Sequence, residues 1–100
     1  MQSAEARVAT AAPRRYLGQL CKHFQHKLPV TLEERRGRIE FPSGVCALEA
    51  IGEDALVMRV TAADEAALAR LEDVVARHFV RFAFRDVPEI GWVRAGVPTE

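Results

Sequence analysis

One short block of the sequence brings together side chains that could bind an anion, ligate a metal or act as a nucleophile. This basic block spans residues 21–27 and holds a thiol, two imidazoles and two ammonium groups, on Cys21, His23, His26, Lys22 and Lys27. It lies in a segment, residues 6–32, that contains no acidic residue. The solvated side of a surface helix ordinarily mixes charges of both signs. The segment therefore indicates a dedicated basic surface.

Helical periodicity places the basic side chains on one side of a helix predicted over residues 12–27. At about 100° per residue, Arg15, Lys22 and His26 fall on one stripe. His23 and Lys27 lie along its flank. Such a stripe can bind phosphate, carboxylate or an acidic protein surface. We therefore predict a site for an anionic small molecule or an acidic partner at Arg15, Lys22, His23, His26 and Lys27.

A metal site is the second interpretation of the same block. His23 and His26 are about 60° apart on a helix and could supply two ligands to one ion. Cys21 and His23 point about 160° apart, which prevents them from sharing an ion while both are helical. Zinc needs a third or fourth ligand, and His78 is the only other histidine of the chain. This interpretation describes a metal- or redox-responsive protein that uses His23 and His26.

A small enzyme is the third interpretation, with a site between the helices and the sheet around Cys21, Cys46 and His78. Both cysteines share the phase of neighbouring apolar residues, so we expect reduced and buried thiols. No Cys-x-x-Cys motif accompanies them, and no acidic residue stands out to orient a catalytic base. We therefore predict no catalytic residue and no cofactor, and we expect His78 to pack in the core.

Length, charge and composition limit the remaining function classes. One hundred residues form one small domain, and 14 basic residues balance 14 acidic ones. No apolar run approaches the length of about 18 residues that a membrane helix needs. Two cysteines without a secretion signal favour the reducing cytoplasm. Balanced charge and the lack of an aromatic-rich strand motif argue against specific nucleic-acid recognition. Ends of opposite charge are compatible with a homo-oligomer.

The apolar periodicity predicts an α+β domain. The elements expected are helices near 12–27 and 62–84, strands near 30–33, 38–41, 45–51 and 55–61, a short edge strand at 7–10 and a last short strand at 90–93. Each element has one apolar side, so both helices must cover the same face of the sheet. The predicted fold is a two-layer sandwich, an antiparallel sheet of four to six strands with two helices on one face. Residues 1–5 and 95–100 are expected to be loose tails of a single domain at 6–94.

Two motifs resemble a known family. The basic block, with Arg15-Tyr16-Leu17 before it, and Arg81-Phe82-Ala83-Phe84-Arg85 near the end look like a family of small bacterial proteins catalogued only as a domain of unknown function. The resemblance covers roughly residues 7–92. Some relatives lie beside siderophore or iron-uptake genes, so the resemblance implies an accessory role in iron or siderophore handling. The favoured interpretation is therefore a small cytoplasmic, non-enzymatic binding or accessory protein.

Overall fold

The fold combines a six-stranded sheet with two helices in the residues that the computed structural model describes, 2–83 and 90–95. In chain order the elements are β1 (Gln2–Ala9), α1 (Pro13–Phe24), β2 (Val30–Leu32), β3 (Arg36–Phe41), β4 (Gly44–Ile51), β5 (Ala55–Ala62), α2 (Glu65–Phe82) and β6 (Val93–Ala95). The strands pair antiparallel in the spatial order β2-β3-β4-β5-β1-β6. Tight turns connect β3 to β4 and β4 to β5, as the turn residues predict.

The core lies between the helices and one face of the sheet. Alternate residues of the central strands are buried on this face, among them Ala4, Ala6, Val8, Cys46, Leu48, Leu56, Met58 and Val60. α1 packs over β2, β3, β4 and β5, and α2 packs over β4, β5 and β1. Both helices thus cover one side and leave the other side of the sheet open. The predicted α+β two-layer sandwich is confirmed.

Two glycines lie where the helices approach the sheet. A Cβ atom on Gly37 of β3 would meet Sγ of Cys21, and one on Gly44 would meet the carbonyl oxygen of Thr61 and the Leu71 side chain. Any larger residue at Gly37 would therefore push α1 away from the sheet. The glycine sets the height of α1, and with it the position of the basic block.

The first strand corrects the sequence prediction at the N-terminus. The prediction of a loose tail at residues 1–5 is wrong from Gln2 onward, because β1 begins there. β1 also lies between β5 and β6 rather than at an edge. Its buried residues Ala4 and Ala6 have low strand propensity, so the strand was recognised only from Arg7.

The ends of the last elements also differ from the prediction. α2 begins at Glu65 because β5 continues to Ala62 and the carboxylate of Asp64 accepts a hydrogen bond from the Ala67 N–H at 2.8 Å. β6 includes Ala95, which had been assigned to a C-terminal tail. The rest of that tail, 96–100, lies outside the described residues. α2 ends at Phe82, with Ala83 as its C-cap, two residues before the end expected at residue 84. None of the described helices is long and apolar enough to cross a membrane.

Candidate functional site

The basic block is divided between the end of α1 and the turn that follows it. α1 ends at Phe24 rather than near Lys27. The N–H of Lys27 donates to the Phe24 carbonyl at 3.0 Å, and Pro29 disfavours helical backbone in the residue before it. His26 and Lys27 therefore leave the helix. The angle of about 60° expected between His23 and His26 on an ideal helix does not apply.

The cations around this turn are exposed and have no carboxylate partner among the described residues. Lys22 and Lys27 are exposed, and so is Arg81 near the end of α2. Within residues 2–83 and 90–95, none of these three forms an ion pair, whereas seven other arginines do. We call the surface formed by Lys22, His23, His26, Lys27 and Arg81 the basic end. Arg15 is also exposed and forms no ion pair with a described residue, and it lies about 10 Å earlier along α1 at 1.5 Å per residue.

His23 contacts His78 across the junction of the two helices. The centroids of the two imidazole rings are 4.9 Å apart, and the rings are inclined by 46°. Phe24 and Phe82 pack edge-on against His23, with centroid distances of 5.0 and 5.6 Å. His78 is half-buried, as expected for packing, but its contact with His23 was not foreseen. The placement of His78 on the apolar stripe of α2 was the signal that could have indicated it.

The surroundings of His23 disfavour its protonated form. Burial contributes most, followed by the charges of His78, Arg81, His26 and Lys27, and together they lower the pKa of His23 below its usual value. Every charged group in this set is basic. The imidazole of His23 is thus mainly neutral at neutral pH and lies in a positive potential.

The residues brought together fit an anion better than a metal ion. Among the described residues, no three His, Cys, Asp or Glu side chains converge on one point. His23 and His78 would supply two ligands, and a zinc ion usually takes at least three from the protein. Arg81 and Lys27, which oppose protonation of His23, would also repel a divalent cation. The same potential attracts a negative charge.

The two cysteines have a structural role. Cys21 and Cys46 are free and fully buried, which confirms the expectation of buried reduced thiols. Burial raises the pKa of Cys21 to about 11, and burial together with the charge of Cys21 raises the pKa of Cys46 to about 12. Both thiols are therefore protonated at neutral pH and are poor nucleophiles. In the described part of the chain no hydrogen bond joins either one to His78, whose Nδ1 lies 2.7 Å from the Val74 carbonyl oxygen.

The open face of the sheet is a second region rich in charged groups, which sequence reasoning missed. A cavity of about 480 Å³ there is lined by three arginines and three glutamates around Ala47: Arg36, Arg38, Arg59, Glu5, Glu33 and Glu49. Arg59 pairs with Glu5 at 2.6 Å, and Arg36 pairs with Glu49 at 3.9 Å. Because these charges cancel, this cavity attracts anions less than the basic end does.

Comparison with known proteins shows the family. The model of a family described as an uncharacterized protein conserved in bacteria (DUF2218) matches residues 5–93. The NMR structure of PA4090 from Pseudomonas aeruginosa is similar, with 38% identity, a TM-score of 0.79, and coverage of 93% of this chain and 96% of that chain. Among curated proteins there is no match. The chain therefore belongs to this family of uncharacterized bacterial proteins, as the resemblance of its motifs implied.

Proposed function

We propose that the protein is a small cytoplasmic binding protein, not an enzyme, that holds an anionic ligand at the basic end. The observation that carries the proposal is the set of exposed cations Lys22, Lys27 and Arg81, which have no carboxylate partner in the described residues. Cations elsewhere on the surface mostly have such partners. An anion at the basic end would supply the missing negative charge.

The expected affinity follows from the number of charged contacts. A hydrogen bond that involves a charged group contributes about 1.5–3 kcal/mol. Two such contacts, from Lys22 and Lys27, would give about 3–6 kcal/mol, which corresponds to dissociation constants from several millimolar to tens of micromolar. A ligand with an aromatic ring would gain further from Phe82, which is only partly buried beside His23.

A role in iron or siderophore handling is the finer form of this proposal. Its support is the resemblance to proteins whose genes lie beside iron-uptake genes. The ligands concerned would carry catecholate or carboxylate groups, and such anions suit a surface of ammonium and guanidinium groups. Citrate and a catecholate therefore belong among the first ligands to test.

A thermal-shift screen with charge-reversed variants tests the proposal. Sulfate, phosphate, citrate, a catecholate, a nucleotide and Zn²⁺ are added separately to the wild-type protein and to Lys22→Glu. Arg70→Glu is the matched control, since Arg70 is exposed and lies 11 residues, or about 16 Å along α2, from Arg81. We expect at least one anion to raise the melting temperature of the wild type and of Arg70→Glu, but not of Lys22→Glu.

Other outcomes would contradict the proposal in different ways. Stabilisation by Zn²⁺ alone, lost in His23→Ala but kept in Lys22→Glu, would favour the metal-responsive interpretation. Binding of polyglutamate without binding of any small anion would indicate an acidic protein as the partner. If an anion stabilises all three proteins equally, its site lies elsewhere on the surface.

A further inference from the structure

The junction of α1 and α2 brings two imidazoles into contact beside the basic end. His23 lies in the last turn of α1, and His78 lies one turn before the end of α2. Their ring centroids are 4.9 Å apart, and Phe24 packs against both rings at centroid distances of 5.0 and 4.9 Å. The pair connects a protected aromatic cluster with the exposed basic end.

The hydrogen bond of His78 determines which of its ring nitrogens can accept a proton. Nδ1 lies 2.7 Å from the carbonyl oxygen of Val74, and a carbonyl can only accept a hydrogen bond. Nδ1 therefore carries the hydrogen and donates it. In the neutral ring Nε2 then has a free lone pair, which is the position that an added proton would take.

Among the described residues, the charged groups that act on His23 all carry positive charge. They come from each neighbouring segment: Arg81 and His78 from α2, and His26 and Lys27 from the turn after α1. The sheet contributes Phe41 of β3, which packs against Phe24 at 5.2 Å and carries no charge. No carboxylate of the described residues forms an ion pair with either imidazole. Within 2–83 and 90–95, an imidazolium here therefore has no counter-ion.

Building on the proposed function, we propose that the ligand is a small, doubly charged oxyanion bound beside His23 and His78, and that its binding takes up a proton at this pair. An anion near His23 favours the imidazolium, and by thermodynamic reciprocity the imidazolium favours the anion. A double charge suits the site because three exposed cationic side chains, Lys22, Lys27 and Arg81, surround it. Affinity therefore rises as the pH falls through the titration of the pair.

Sulfate is the appropriate probe, because it keeps its double charge over the range from about pH 5 to 8 in which histidines titrate. Calorimetric titrations with sulfate are carried out at about pH 5.5 and about pH 8, each in two buffers with different ionisation enthalpies. The difference between the buffers gives the number of protons taken up. NMR signals of the three histidine rings, followed against pH with and without sulfate, show which ring takes the proton.

We expect sulfate to bind about tenfold more tightly at the lower pH, as a coupling of one pKa unit gives. The signal of His23 or His78 should titrate at higher pH when sulfate is present, and that of His26 should move less. The variant His23→Phe preserves an aromatic ring against Phe24 and Phe82 but removes a titrating nitrogen, so it should lose at least half of the pH dependence. Its circular dichroism spectrum at both pH values verifies that it is folded.

The possible failures are distinguishable. Sulfate binding with equal affinity at both pH values and no proton uptake would overturn this inference and leave the proposed function intact. Sulfate affinity that depends on pH as strongly in folded His23→Phe as in the wild type, with the largest NMR shift at His26, would also overturn it. The proton would then be taken up in the exposed turn. No sulfate binding at either pH would overturn the inference, and the proposed function would fall with it only if phosphate, citrate, the catecholate and the nucleotide of the thermal-shift screen also fail to bind.

Discussion

The open face of the sheet and the basic end are both rich in cations, but in the part of the chain that the structure describes only the basic end lacks counter-charges. On the open face, Arg59 lies 2.6 Å from Glu5, and Arg36 and Arg38 lie 3.9 Å from Glu49 and Glu40. At the basic end, no ion pair involves Lys22, Lys27 or Arg81 within residues 2–83 and 90–95. The number of cations is therefore a poor guide to an anion site, and their pairing is a better one.

The difference has its origin in the geometry of the two elements. In an antiparallel sheet, residues directly opposite each other place their side chains side by side, and the register pairs Glu5 with Arg59 and Arg36 with Glu49. A helix end followed by a tight turn presents consecutive side chains to solvent. Because the segment 6–32 has no acidic residue, Lys22 and Lys27 have no acidic neighbour in the sequence.

The largest expected effect is a loss of stability at one residue of α1 and a loss of anion affinity at the next. Cys21→Ser places a hydroxyl among apolar neighbours and should lower the free energy of unfolding by about 1–3 kcal/mol without changing anion affinity. Lys22→Glu, at the next position, should leave the free energy of unfolding nearly unchanged and should lower the affinity for the anion. Urea titrations measure stability, and sulfate titrations of the folded protein measure affinity. Equal loss of stability in both variants would show that the basic end is part of the folding core.

A second variant tests whether pairing alone distinguishes the two regions. Glu5→Gln combined with Glu49→Gln removes the partners of Arg59 and Arg36 and should add a second, weaker sulfate site on the open face. Exposed ion pairs contribute about 0–1 kcal/mol, so the fold should persist. Calorimetry gives the number of sulfates bound. A stoichiometry unchanged from the wild type would mean that something other than unpaired charge determines where anions bind.

Salt should weaken binding at the basic end more than it affects the fold. The Debye length, over which charges interact, shortens from about 10 Å at 0.1 M to about 3 Å at 1 M ionic strength. We therefore expect sulfate affinity to fall several-fold between low and high sodium chloride, while the unfolding midpoint in urea changes little. Affinity that is insensitive to salt would indicate an apolar or metal-dependent mode of binding.

The smallest effect concerns stability against pH in the absence of multivalent anions. The pKa of His23 is lower in the folded protein than its value of about 6.5 in the unfolded chain. The stability that the neutral His23 ring contributes to the fold is thus complete above about pH 6.5. It is lost as the pH falls, because the unfolded chain binds the proton more readily. The melting temperature of the wild type should fall more on acidification than that of His23→Phe. Parallel curves would mean that His23 titrates normally in the folded state.

The sequence was sufficient to predict the layers of the fold because its apolar residues follow regular periods. Cys46 and Leu48 alternate with exposed neighbours, and Leu17 and Phe24 recur at helical spacing. The prediction failed where the signal was weak. In β1, Ala4 and Ala6 are buried but too small to mark a strand, and Gly37 is typical of a turn although it lies in β3 against Cys21.

The candidate site was only partly predictable for a related reason. The basic block could be identified from composition, since the absence of acidic residues is a property of the sequence itself. The contact of His23 with His78, however, depends on how closely α1 and α2 approach, and that distance is determined by packing on the sheet. Likewise, the pairing of arginines on the open face depends on strand register, which periodicity alone does not supply.

Mapping of bound sulfate by NMR tests the central claim most directly. Backbone amide signals of ¹⁵N-labelled protein are recorded at increasing sulfate concentration, at constant ionic strength. We predict that the largest shifts occur at residues 22–27 and 81–83, with little change at 36–38, 47 and 59 on the open face. Shifts concentrated on the open face, or spread evenly over the surface, would contradict the assignment of the anion site to the basic end.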